Sequence, residues 1–135
     1  MTRFAIDAPV ALRLVHAGGT LTSDHQLVGP GALRSEVLAL LYRQVRTGEL
    51  PTTDALSLLD KVATTKMRLL ADRVSRRVAW QVAADLDLWD TRLAEYVAVA
   101  KLQADVLITE DLELTRVANG HVRIAGWEEL AAALS

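Results

Sequence analysis

Apolar and polar positions follow two periods along this chain, and the points where the period changes mark the elements. Residues 3–6 read as a short strand, and residues 8–16 as an apolar helix that tolerates Pro9, because a helix's first turn has no internal partner for the missing N–H. Gly18-Gly19 stop it. Residues 26–28 read as extended up to Gly29-Pro30-Gly31, after which Leu33, Val37, Leu40, Leu41 and Val45 recur at helical spacing as far as Thr47-Gly48. Pro51-Thr52-Thr53-Asp54 opens another helix carrying Leu56, Leu59 and Val62, and residues 67–70 read as a strand. Asp72 is placed to cap a helix with Val74, Val78, Trp80 and Val82, and Leu93, Val97 and Ala100 mark a further one. Strands at residues 106–109 and 122–124 alternate with helices at residues 112–118 and 127–134. The β, α, β, α order predicts an α/β fold in one domain over residues 1–135, a central parallel sheet with helices on both faces, since parallel strands need crossovers that helices supply.

Within that pattern four acids, Asp7, Glu36, Asp90 and Asp111, stand at the edges of apolar segments. Two of them follow β-like runs. The carboxyl ends of parallel strands share one rim, so acids just past them converge although remote in sequence. Converging carboxylates repel one another unless a cation sits between them, and the natural occupant is a hard divalent ion such as Mg²⁺ or Mn²⁺. Each acid also has a plainer reading: Asp7 and Asp111 as helix caps, Glu36 as a solvated helix residue, Asp90 as an N-cap accepting the N–H of Arg92 or Leu93.

Composition narrows the chemistry. With 135 residues, 51% of them hydrophobic, the chain can bury one real core. The absence of cysteine removes disulfides, thiolate nucleophiles and cysteine-bound zinc, and agrees with a reducing cytoplasm. His16, His25 and His121 are too dispersed to suggest a zinc site. No apolar run approaches a membrane span, so a soluble, cytoplasmic protein is expected. A net charge of −2 argues against nucleic-acid binding by bulk attraction and leaves room for a local basic stripe. Neither G-x-G-x-x-G nor G-x-x-x-x-G-K-[ST] is present, so a dinucleotide or a nucleoside triphosphate lacks its usual loop. Arg73, Arg76 and Arg77, at helical spacing, make one basic face that either follows an RNA backbone or is simply solvated. Trp80 and Trp89 are expected as core or dimer-interface anchors, with base stacking as the other option. Arg34 is as well placed to pair with a carboxylate of the pocket as to touch substrate.

Three stretches carry a family resemblance: Phe4-Ala5-Ile6-Asp7-Ala8-Pro9, Leu33-Arg34-Ser35-Glu36 with its helix, and residues 94–111 ending in Thr109-Glu110-Asp111. Over nearly its whole length the chain resembles the PIN-domain ribonucleases of the VapC type, toxins of bacterial toxin–antitoxin pairs. The resemblance implies a Mg²⁺- or Mn²⁺-dependent endoribonuclease, a homodimer, restrained by a VapB-like antitoxin whose C-terminal segment lies over the acidic pocket. It makes Asp7, Glu36 and Asp111 the first, second and last site acids, supported by Thr109. The third acid departs from the pattern. Relatives have a carboxylate directly before the alanine that corresponds to Ala94, and here Leu93 stands there. Asp90 lies about 300° around the helix and ~4.5 Å along it from Leu93, near enough to substitute, whereas Glu95 lies about 200° away, toward the opposite face. Two expectations follow: a ribonuclease in which Asp90 compensates, or a PIN-fold protein that binds its partners and cleaves little.

Overall fold

The computed structural model describes residues 1–135. Its sheet has five parallel strands, β1 (Thr2–Ile6), β2 (His25–Pro30), β3 (Arg68–Leu70), β4 (Val106–Ile108) and β5 (Ile124–Ala125), in the order β3-β2-β1-β4-β5. Seven helices connect and close it: α1 (Ala8–Ala17), α2 (Leu33–Arg46), α3 (Thr52–Thr64), α4 (Arg73–Asp85), α5 (Arg92–Gln103), α6 (Leu112–Ala118) and α7 (Trp127–Ala131). The strand order explains the layering. From β1 the chain steps outward through β2 to β3, then crosses back to β4 on the other side of β1. Crossovers of one hand taken in opposite directions put α1–α3 on one face and α4–α6 on the other. The expected α/β architecture with helices on both faces is the one observed.

The central strands read as continuous apolar runs because both faces are covered. Phe4, Ala5 and Ile6 of β1 and Val106, Leu107 and Ile108 of β4 are all buried, and α5 lies across β1 and β2 through Ala94, Val97, Ala98 and Ala100. α1 is started by Asp7, whose carboxylate accepts the Val10 N–H, and ended by Gly18 at φ +75°, a conformation in which a side chain is strained. Asp72 caps α4 as predicted, through the Ser75 N–H.

Several boundaries moved: β2 runs on through Gly29 to Pro30, β4 stops at Ile108, and two larger shifts fall near the C-terminus. β5 begins at Ile124, because residues 119–122 are spent in a turn around Gly120 at φ +85°, while the Arg123 carbonyl accepts the Leu107 N–H. The closing helix stops at Ala131, and Leu134 pairs with Leu21 in an antiparallel bridge instead. Trp80 and Trp89, expected as core or interface anchors, are not in the core: they are 73% and 101% exposed, and the buried indole is Trp127, beneath the Arg13 guanidinium. No helix is long and apolar enough to cross a membrane.

Candidate acidic cleft

In this strand order the direction of winding reverses between β1 and β4, and the crevice beyond the carboxyl ends of the strands flanking such a reversal is where α/β sheets bind ligands. Asp7 directly follows β1, and Asp111 lies three residues past the end of β4. With Glu36 from the first turn of α2, both line a cleft of about 400 Å³ whose other walls include Arg43, Arg92, Leu93, Tyr96 and Leu114. A larger cavity of about 780 Å³ lies at the opposite end of the sheet, near His25 and Arg68, and has no carboxylate in its lining. The chemistry favours the smaller one.

Hydrogen bonds fix the acids. Asp7 is 5% exposed, with Oδ1 accepting the Val10 N–H at 3.0 Å and Oδ2 the Thr109 hydroxyl at 2.6 Å. The same hydroxyl accepts the Asp111 N–H at 3.0 Å, so Thr109 ties the end of β1 to the loop after β4. Asp111 accepts the Glu113 N–H at 3.0 Å and thereby caps α6. Glu36 Oε2 accepts the Tyr96 hydroxyl at 2.6 Å, and Oε1 takes no hydrogen bond from the protein. Burial is the main cause that raises the Asp7 carboxyl above its ordinary range, and the nearby Asp111 charge adds to it against the lowering pull of its two hydrogen bonds. Burial and then Glu36 push the Tyr96 hydroxyl far up, so it stays a neutral donor.

The helical period explains the walls. Glu36, Ala39, Leu40 and Arg43 fall at i, i+3, i+4 and i+7 on α2 and present one stripe, and Leu93 and Tyr96 are one turn apart on α5. Tyr96 and Arg43 escaped the sequence reading as site residues. Arg43 was detectable in principle, being two turns from Glu36. Neither Arg43 nor Arg92 forms an ion pair within the chain.

Asp90 takes up the capping geometry that was one of its two expected roles. It is exposed, does not line the cleft, and its Oδ1 accepts the Arg92 N–H at 3.0 Å, which is the capping alternative. That oxygen is engaged at the start of α5, while Leu93 lines the cleft wall. Glu95, half-buried, lies instead beside Ser75, Arg76 and Val99, as its angle around the helix implied. Arg73, Arg76 and Arg77 are exposed, lie outside the cleft lining and have no acidic partner in the chain. Arg34 turns to the Thr65 carbonyl at 3.3 Å and not to the acids.

Whether these residues suit a divalent ion can be judged from the donors. All are oxygens, which hard cations prefer, and the Asp111 charge adds to the rise of the Asp7 carboxyl with no ion pair to a cation at either acid. No three acidic or histidine side chains stand close enough to enclose an ion. The set therefore fits an ion that keeps several waters and takes one or two carboxylates, as Mg²⁺ commonly does.

By sequence the chain matches no family model and no curated protein. By structure it is similar to PAE2754 from Pyrobaculum aerophilum, at TM-score 0.72 and 25% identity over 97% of this chain and 93% of that one. A chain of VapBC-1 from nontypeable Haemophilus influenzae matches at TM-score 0.61 and 12% identity, over 93% and 98%. One of VapBC2 from Rickettsia felis, determined bound to a DNA fragment from its promoter, matches at TM-score 0.58 and 11% identity over the same shares, 93% and 98%. The fold is accordingly the α/β fold of PIN domains.

Proposed function

We propose that the chain is a PIN-fold endoribonuclease, the toxin partner of a VapB-like antitoxin, whose site acids are Asp7, Glu36 and Asp111. The observation that carries this reading is the meeting of those three acids in one cleft at the reversal point of the sheet. The likeness to chains of VapBC complexes supports both the nuclease class and the antitoxin partner.

Asp7 and Asp111 would hold Mg²⁺ or Mn²⁺, which when bound polarises a phosphate and acidifies its own water. The Val10 amide and the Thr109 hydroxyl keep the Asp7 carboxylate fixed in one orientation, so little reorganisation is left for the moment of reaction. Glu36, steadied through Oε2 by Tyr96, keeps Oε1 to take the proton of a water attacking the RNA phosphorus. Arg43 and Arg92 offer guanidiniums to the phosphates on either side. Exposed apolar side chains on α2 and α3, Leu38, Tyr42 and Leu56, suit coverage by an antitoxin segment or a second copy in a homodimer.

A second reading has its own observation. Leu93 lines the cleft where relatives of the resembled type carry an acid, and Asp90 is committed to its cap, so a PIN-fold protein that binds RNA or antitoxin and cleaves weakly is also supported. Purified, antitoxin-free protein incubated with structured RNA and Mg²⁺ or Mn²⁺, beside Asp111→Asn, separates them. Metal-dependent cleavage lost in the variant supports the enzyme; RNA or antitoxin binding without cleavage supports the second reading.

A further inference from the structure

We propose that Trp89 is a base-stacking residue that seats single-stranded RNA at the mouth of the acidic cleft, an inference that rests on the ribonuclease reading. An indole is costly to leave in water, and Trp is among the residues most buried on average, yet Trp89 is 101% exposed. Its loop is not loose. The Leu86, Asp87 and Leu88 amides donate to the Val82, Ala84 and Ala83 carbonyls at 3.2, 3.2 and 2.9 Å, with Asp87 at φ +52° closing the turn. Leu88 packs against the core on one side of Trp89, and Asp90 accepts the Arg92 N–H on the other. The indole is thus displayed by an ordered turn, and its ordering entropy has been spent in folding.

Position and charge select the occupant. Trp89 precedes Arg92 by three residues, so chain geometry keeps their Cα atoms within about 11 Å, and Arg92 lines the cleft together with Arg43. Both guanidiniums lack an acidic partner in the chain. A displayed aromatic three residues from one unpaired cation of the cleft suits a strand of alternating bases and phosphates: in the proposed arrangement the indole takes a base, the guanidiniums the neighbouring phosphates, and the scissile bond is left over the acids. An apolar protein surface would use the indole and leave the two cations unanswered. In this arrangement Asp90 is a positioning residue, setting the turn that presents Trp89.

The test measures binding of a short single-stranded RNA and of a strand of equal length with abasic central positions, in an Asp7→Asn background that blocks cleavage. The base-bearing strand should bind ~10-fold or more tightly than the abasic one. Adding Trp89→Ala should abolish that preference, while Trp89→Phe should keep most of it. An undiminished preference in Trp89→Ala overturns the assignment, as does a change in sedimentation state, which would put Trp89 at a protein interface. If wild type cleaves RNA while Trp89→Ala keeps the preference, stacking falls and the ribonuclease reading stands. If wild type neither binds nor cleaves RNA, both fall together.

Discussion

The proposed ribonuclease and its weakly cleaving alternative differ most at Leu93. This residue presents an apolar side chain to a cleft that holds three carboxylates and two guanidiniums, so it offers neither charge nor an acceptor for metal-bound water. Leu93→Asp should tighten Mn²⁺ binding by about ten-fold or more, measured by titration calorimetry, and raise RNA cleavage in parallel. Asp90→Ala should leave metal affinity unchanged and cost roughly 1 kcal/mol of stability, because only a cap is lost; a fall in metal affinity would return Asp90 to the site. Asp7 gives a pH signature. Its folded-state carboxyl is raised, so the native state holds the proton more firmly than the unfolded chain does, and stability falls as pH climbs from the ordinary carboxylate range through the raised value. Asp7→Asn should therefore raise the melting temperature at neutral pH, without metal, and not below pH 3. Saturating Mn²⁺ should shrink the neutral-pH difference by stabilising only the wild type.

At the scale of elements, Thr109 does what no single strand does, linking the carboxyl ends of β1 and β4 through the Asp7 carboxylate and the Asp111 amide. Thr109→Val keeps the shape and removes both bonds. It should cost about 1–3 kcal/mol in urea denaturation; no loss would mean that water replaces the hydroxyl. The elements themselves were largely legible, because helical and strand periods are written in the apolar positions, as with Leu33, Val37 and Leu41 on α2, all buried. What stayed hidden depended on contacts across the sheet's rim. The bond between Tyr96 and Glu36 joins residues 60 apart in sequence, and nothing local to either announces it. Trp89 was half legible for a related reason: hydrophobicity offers an indole a core, an interface or a base, and only the fold, which turns it outward, removes the core. β5 slipped because the polar turn around Gly120 needed more chain than the apolar pattern indicated.

For the whole molecule, the sheet order β3-β2-β1-β4-β5 brings residue 7 and residue 111 to one crevice and turns scattered acids into a candidate site. A net charge of −2 makes the local guanidiniums, not the overall field, responsible for any hold on RNA. The central claim is that Asp7 and Asp111 act as one unit in metal-dependent cleavage of RNA. Its most direct test is the Mn²⁺-dependent cleavage rate of Asp7→Asn, Asp111→Asn and the double variant, in the wild-type and Leu93→Asp backgrounds. Each single change should lower the rate by ~100-fold or more, and the double should be no slower than the worse single, because one centre is lost only once. Single variants that cleave as fast as their parent, or losses that multiply in the double, would contradict it.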